Sequence, residues 1–257
     1  FSEWEKYESR ITKTTSILLD LFSKYNIKST FFVVGYIAQK YPNLINEIKE
    51  KGHEIASHSY SHLDLRKATR NEVEKDLLKS FETIENIIGE KVMGFRAPFF
   101  SIDNSNSWVL EFLKKYVKYD SSIFPVKTPI YGVPDAPKII YHPSKENFIK
   151  NDSTEKFIEI PPLTSKIFSL YNLPVAGGFY FRALPYFFIS NGIKKINETN
   201  NPAMLYFHPK DLDNNMPKIK EYSWHYYYGK RNIVKKFERL LDSFEFTSVQ
   251  DFLGLKN

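Results

Sequence analysis

Cysteine is absent from the 257 residues. That excludes disulfides and thiolate-held metals, and it removes redox chemistry as a guide to compartment. No apolar run reaches the length of a membrane span. No signal peptide is visible, which leans the expectation toward the cytoplasm. Basic clusters are missing as well. Lys and Arg give a net charge of +6, but they are spread along the chain. The charge therefore describes a solvated surface and not a nucleic-acid footprint. No internal repeat and no linker divides the chain. There is no initiator Met, the sequence opening at Phe1.

What is present is bulky. Hydrophobic residues make up 42%, enough for a full core in one large domain or two small ones. Aromatic residues reach 16%, with 22 Phe and 17 Tyr. Such a content serves either a bulky core or a surface whose ring faces stack on the C–H faces of sugars. A positive surface would also suit an anionic polysaccharide.

Strand and helix patterns alternate nearly throughout. Apolar residues recur at helical spacing from Ile11 to Tyr25, and again from Thr69 to Gly89 with Val73, Leu77, Phe81, Ile84 and Ile88. Helical patterns also cover Tyr36 to Lys51, Asn106 to Tyr116, Leu184 to Glu198 and Asn232 to Phe244, with a last turn at Gln250 to Leu255. Strands are expected at Ile27–Gly35, Gly52–Ser57, Val92–Phe95, Phe157–Ile160, Ala203–Phe207 and Phe246–Val249. This order predicts an α/β fold with a parallel sheet and helical crossovers. Pro125 to about Thr154 is rich in Pro, Tyr and Asn and reads as a long irregular loop, a kind more often functional than idle.

One short stretch organises the rest: His58-Ser59-Tyr60-Ser61-His62. Two histidines four apart can turn their rings to one metal ion, and neutral imidazole suits zinc and its neighbours. His58 follows a strand, where α/β barrels place their chemistry. Arg96, Asp120 and His208 also follow strand-like segments. Taken singly, each has a plain reading: Arg96 an ion-pair residue, Asp120 a turn or helix cap, His208 a structural histidine. Together they would line one rim.

These residues carry a resemblance. The chain resembles the polysaccharide deacetylases with the NodB homology domain, carbohydrate esterase family 4. The family's His-[Ser/Thr]-x-x-His motif is matched by His58 to His62, its Arg-x-Pro motif by Arg96-Ala97-Pro98, the Asp some two dozen residues on by Asp120, and the apolar strand ending in His by Leu205-Tyr206-Phe207-His208. The stretches TFFVVG, GFRAPFFSI, YGVPDAP and LPVAGGFYFR are similar to the branch associated with bacterial exopolysaccharide loci.

The resemblance implies a distorted (β/α) barrel of the NodB type with fewer than eight strands. It implies a single catalytic domain over 1–257 with a loop-rich insert at about 125–182. It implies removal of N-acetyl groups from N-acetylated hexosamines of a polysaccharide or oligosaccharide partner. A divalent metal, usually zinc, would be held by His58, His62 and an aspartate. The metal would polarise the acetamide carbonyl and lower the pKa of bound water. His208 would be the general acid to the amine, tuned by Asp120. Arg96 would orient the carboxylate base, and the Phe99 N–H would help bind the oxyanion. Tyr180 and Arg182 would grip sugar.

The family's first motif is an acidic cluster on the first strand, which supplies the base and the third metal ligand. Only Glu3, Glu5 and Glu8 precede the first helix here. FSEW resembles the segment that comes after that strand in the branch, so the strand itself is expected upstream of Phe1. Two other readings stay open: a carbohydrate-binding pseudoenzyme, and an amidase acting on a small non-sugar amide.

Overall fold

Gly52 and Gly89 stop helices ahead of short buried strands. The computed structural model describes residues 8–167, 171–213, 215–217, 219 and 223–255. In chain order these form helix α1 (Ile11–Lys24), strand β1 (Thr30–Val33), helices α2 (Gly35–Lys40) and α3 (Pro42–Glu50), strand β2 (Glu54–Ser57), helix α4 (Arg70–Ile88), strand β3 (Gly94–Phe95), helix α5 (Trp108–Leu113) and strands β4 (Tyr119–Asp120) and β5 (Ile158–Glu159). The hairpin strands β6 (Ser165–Ile167) and β7 (Tyr171–Leu173) come next, then helices α6 (Gly178–Ala183), α7 (Tyr186–Asn197), α8 (Ile233–Ser243) and α9 (Val249–Phe252). By packing they fall into two units, one within Lys28–Pro162 and Thr247–Asn257, the other within Phe1–Ile27 and Leu163–Phe246.

The first unit is built on a parallel sheet in the order β1-β2-β3-β4-β5. Neighbours in the sheet are neighbours in sequence, the winding that barrels also use. Among the described residues the sheet stays open at five strands and does not close into a barrel. α4 is the best-signalled crossover. Thr69 and Glu72 form a reciprocal capping box at its start, and Val73, Leu77, Phe81, Ile84 and Ile88 bury one face. At β3 the backbone passes against an aromatic ring: a Cβ on Gly94 would lie 2.0 Å from Tyr119 Cζ, so only glycine fits. The Tyr119 hydroxyl donates to the buried Glu54 at 2.8 Å. Glu54 also accepts the Gln250 N–H at 2.9 Å, which fixes the C-terminal turn of the chain to the start of β2.

The second unit is held by an aromatic core. The Phe181, Phe207 and Phe237 rings meet at 4.6 and 4.4 Å, and Phe22 of α1 joins Phe237 at 6.1 Å. Arg10, just before α1, grips Asp213 in a bidentate pair of 2.6 and 2.9 Å.

Most expected helices are found within two residues of their expected ends. Two expected strands are not found as such. Ala203–Phe207 is reduced to hydrogen bonds at Met204 and Tyr206, because its partners are a loop residue, Leu163, and the glycine-rich turn at Ala176 and Gly177. Phe246 and Thr247 join no strand, and Ser248 and Val249 already serve the start of α9, where the Ser248 side chain accepts the Asp251 N–H. The irregular stretch after Pro125 is confirmed as loop, with single bridges of Tyr141 to Glu159 and Pro143 to Asn151. Glu3 and Glu5 lie outside the described residues, and Glu8 is exposed.

Candidate active site

At the end of β2 the chain turns sharply. His58 N–H donates to the Val33 carbonyl at 2.8 Å and is the last residue held by the sheet. Ser59 (φ 60°) and His62 (φ 56°) then adopt left-handed backbone. For residues with a side chain this costs roughly 1–3 kcal/mol each and is stored where function requires it. Asp76 of α4 offsets the strain. Its carboxylate accepts the Tyr60 and Ser61 N–H groups at 2.8 and 3.0 Å. The outcome is that the two imidazoles meet edge to face, ring centroids 5.0 Å apart at 74°.

The second support comes from β3. His58 Nδ1 lies 2.7 Å from the Arg96 carbonyl oxygen, an acceptor only, so Nδ1 carries the proton and the lone pair sits on Nε2. A ligating histidine is ordinarily fixed in this way. His62 packs edge-on against the Phe99 ring at 4.8 Å. Phe99 and Phe100 are both left-handed, at φ 56° and 50°. The Arg96 guanidinium lies over the Phe32 ring at 4.2 Å and donates to the Ser121 carbonyl at 3.0 Å and to Ser121 Oγ at 2.6 Å. Arg96 thereby ties β3 to β4 and holds the carbonyl that sets the His58 tautomer.

This donor set fits a divalent ion of the zinc type in kind, being two imidazoles with one tautomer fixed. Catalytic zinc sites use three protein ligands. Among the described residues no third His, Asp or Glu joins the pair.

Asp120, at the end of β4, is wholly buried. Its carboxyl accepts from Ser122 Oγ at 2.6 Å and from the Ser122 N–H at 3.2 Å. It pairs in register with Glu159 of β5, also wholly buried. Burial pushes Asp120 up to about 6, its bonds to Glu159 and Ser122 only partly opposing this. Burial first, and then the Asp120 charge, lift Glu159 far above the carboxylate range. Glu159 Oε1 accepts the Ile123 N–H at 2.9 Å, while Oε2 and the Tyr141 hydroxyl are buried with no hydrogen-bond partner among the described residues. Two carboxyls in such a place keep a proton between them.

A carboxyl protonated in the fold but ionised in the unfolded chain contributes stability at low pH and loses it as pH rises toward the folded pKa. Stability of the chain should therefore fall from about pH 4 upward. Glu159→Gln, neutral at every pH, should flatten that fall and raise the urea midpoint at neutral pH. Midpoints at three values between acid and neutral would decide it. An equal loss at all three would contradict the shared proton.

The remaining expected residues belong to the other unit. His208 caps a 3-10 turn over Pro209–Leu212, with its ring half exposed. Its Nδ1 meets the Asp211 carboxylate at 3.2 Å. Burial alone would raise Asp211. The bonds and charge of His208, together with the Arg182 guanidinium, outweigh burial and hold its carboxyl at about 2. The Arg182 side chain is only 6% exposed. It pairs with Asp211 and donates to the Tyr228 and His225 carbonyls at 3.0 and 2.7 Å. Tyr180, half-buried on α6, rests edge-on against Phe179 at 5.6 Å.

Three residues of consequence escaped the sequence reading. Asp211 sits three after His208 in a capping pattern, Asp76 lies on α4 beside the buried Leu77, and Glu159 is a lone acid in an apolar strand. Asp211 and Glu159 are charged residues at positions that packing buries, and that was the available signal.

Residues 6–116 match the family described as polysaccharide deacetylase, and residues 121–254 match the domain of unknown function DUF3473. A peptidoglycan-N-acetylglucosamine deacetylase of Bacillus cereus is 34% identical over 98 residues, 38% of this chain. A peptidoglycan deacetylase of Helicobacter pylori is 35% identical over 106 residues, 41% of this chain. The chain spans 36% of the length of each. The structure of a Mycobacterium smegmatis protein assigned as a polysaccharide deacetylase superposes with a TM-score of 0.62 at 17% identity, over 94% of this chain and 76% of that one, and so shares the fold. Among the described residues no helix is long and apolar enough to cross a membrane. The chain thus carries a polysaccharide deacetylase domain over residues 6–116 and belongs to the family of the DUF3473 domain, which it carries over residues 121–254.

Proposed function

We propose that this protein is a metal-dependent hydrolase that removes N-acetyl groups from N-acetylated hexosamine units of a polysaccharide, the two matched regions working as one catalytic domain. The observation that carries the reading is the His58–His62 pair at a strand end, with His58 Nδ1 fixed on the Arg96 carbonyl. The Bacillus and Helicobacter relatives, a peptidoglycan-N-acetylglucosamine deacetylase and a peptidoglycan deacetylase, support the same chemistry.

His58 and His62 would hold the ion, most simply zinc. Bound there, a divalent ion supplies Lewis acidity toward the acetamide carbonyl. The chain's own residues do the rest. The Phe99 N–H would donate to the carbonyl oxygen as it gains charge. Arg96 keeps the rim rigid. Addition of water to the carbonyl carbon is followed by cleavage of the C–N bond, which gives acetate and a free amine. An amine leaves only when its nitrogen is protonated, and His208 is the donor assigned here. Asp211 fixes the ring by its Nδ1, which leaves Nε2 as the atom that delivers the proton. In this scheme Asp211 takes the orienting role expected of Asp120.

His208→Ala should keep the metal and lose about 10²–10⁴-fold in kcat on an N-acetylated chito-oligosaccharide. The loss should be smaller on an ester analogue, whose alcohol leaves more readily. Acetate release with metal content measured in parallel tests this. Loss of the metal, or unchanged turnover, would remove His208 from the role.

A further inference from the structure

The segment Ser223–Tyr228 places three rings, those of Trp224, His225 and Tyr228, around Phe179 of α6. Trp224 stands edge-on to Phe179 at 5.8 Å, Tyr228 lies 5.9 Å away, and Trp224 and Tyr228 meet at 5.7 Å and 89°. Packing does not use them up, since Trp224 is 67% and Tyr228 52% exposed. Large rings left in water and gathered in one place mark an interaction site.

The cluster is tied to His208 by the chain already described. Arg182 donates to the Tyr228 and His225 carbonyls on one side and pairs with Asp211 on the other, and Asp211 holds His208 Nδ1. Close approach at this point requires glycine at 229. Its φ is 75°, and a Cβ there would lie 2.8 Å from the Arg182 carbonyl oxygen. The loop is thus anchored against the support of His208 and is not a free surface strand.

We infer that Trp224 and Tyr228, backed by Phe179, form a stacking platform for a pyranose ring of the polymer, next along the chain from the sugar whose amine His208 serves. The inference rests on the deacetylase reading and names a subsite within it. The chemistry of the patch selects the occupant. Trp, Tyr and His each present an apolar face with a polar tip, which suits a ligand with C–H faces and hydroxyl edges. A purely hydrocarbon partner would be met by Leu and Ile.

The test is calorimetric titration of tetra-N-acetylchitotetraose into the parent, Trp224→Ala, Tyr228→Ala and Trp224→Phe, with acetate release followed on the same samples. Trp224→Ala should weaken binding by roughly tenfold or more, as loss of a buried aromatic anchor does. It should raise KM and leave kcat at saturation unchanged. Trp224→Phe keeps a ring and should stay within about threefold of the parent, which separates stacking from misfolding. Binding that depends on Trp224 without acetate release would sink the deacetylase reading and leave the platform standing. Acetate release with the same KM in Trp224→Ala would do the reverse. No oligosaccharide binding by the parent, or self-association in sedimentation that Trp224→Ala abolishes, would overturn the platform.

Discussion

Replacing His58 with alanine should strip the protein of its divalent ion and of acetate release together. The reason lies in how little else the described residues offer. Two imidazoles meet edge to face 5.0 Å apart, and among the described residues no third His, Asp or Glu joins them. Losing one of two such donors costs far more than losing an orienting partner, which by itself is worth about 10–100-fold in metal affinity. His58→Ala should therefore weaken zinc binding by more than about 100-fold. His62→Ala should do the same and should also relieve the left-handed backbone at position 62 only slightly, since alanine still carries a Cβ. Ser121→Ala makes a graded comparison. It removes the Oγ that receives Arg96, so the Arg96 carbonyl loses part of its support and metal affinity should drop by a smaller factor. Zinc competition titrations on the four proteins would rank them. Undiminished affinity in His58→Ala would be incompatible with the site.

The second large effect is on stability and falls in the other unit. Asp211→Ala should destabilise it by about 3–5 kcal/mol, because the Arg182 guanidinium is then left buried without its carboxylate. Replacing both partners by apolar residues, Asp211→Leu with Arg182→Met, should cost less than the single change, since no uncompensated charge remains. The pH dependence has a definite sign. Asp211 is held at about 2, below its ordinary value near 4 in an unfolded chain. Its contribution is complete above about pH 4 and is lost as pH falls through about 2. This runs opposite to the Asp120–Glu159 pair, whose contribution is lost as pH rises. Urea unfolding of the parent and Asp211→Ala from acid to neutral pH should show the two curves converge at the acid end. Parallel curves would mean that Asp211 acts by packing alone.

The sequence was most legible where a local rule and burial agree. α4 could be read to within one residue of each end because Thr69, Glu72 and five buried apolar positions point to the same helix. The parallel sheet was implied by the alternation of elements. The histidine pair was visible from spacing, but its geometry was not, because it depends on Asp76 of α4 and the Arg96 carbonyl of β3. The same limit holds for the carboxylates, since only packing shows that Asp120 meets Ser122 and Glu159 and that Asp211 meets His208. The burial of Arg182 was not legible either, because the two carbonyls and the carboxylate that enclose it come from distant positions in the chain. The lost strand at Ala203–Phe207 shows that an apolar run becomes a strand only when a neighbouring strand is there to pair with it.

The central claim is that the His58–His62 pair serves hydrolysis of an acetamide on an amino sugar. The most direct measurement is acetate released from a fully N-acetylated chito-oligosaccharide by the protein purified at its natural length, first as loaded with zinc, then after chelation, then after zinc is returned. The account predicts one acetate for each free amine formed, loss of release on chelation, recovery with zinc, and no recovery in His58→Ala. Tight binding of the oligosaccharide with no acetate released in the zinc-loaded state would contradict it.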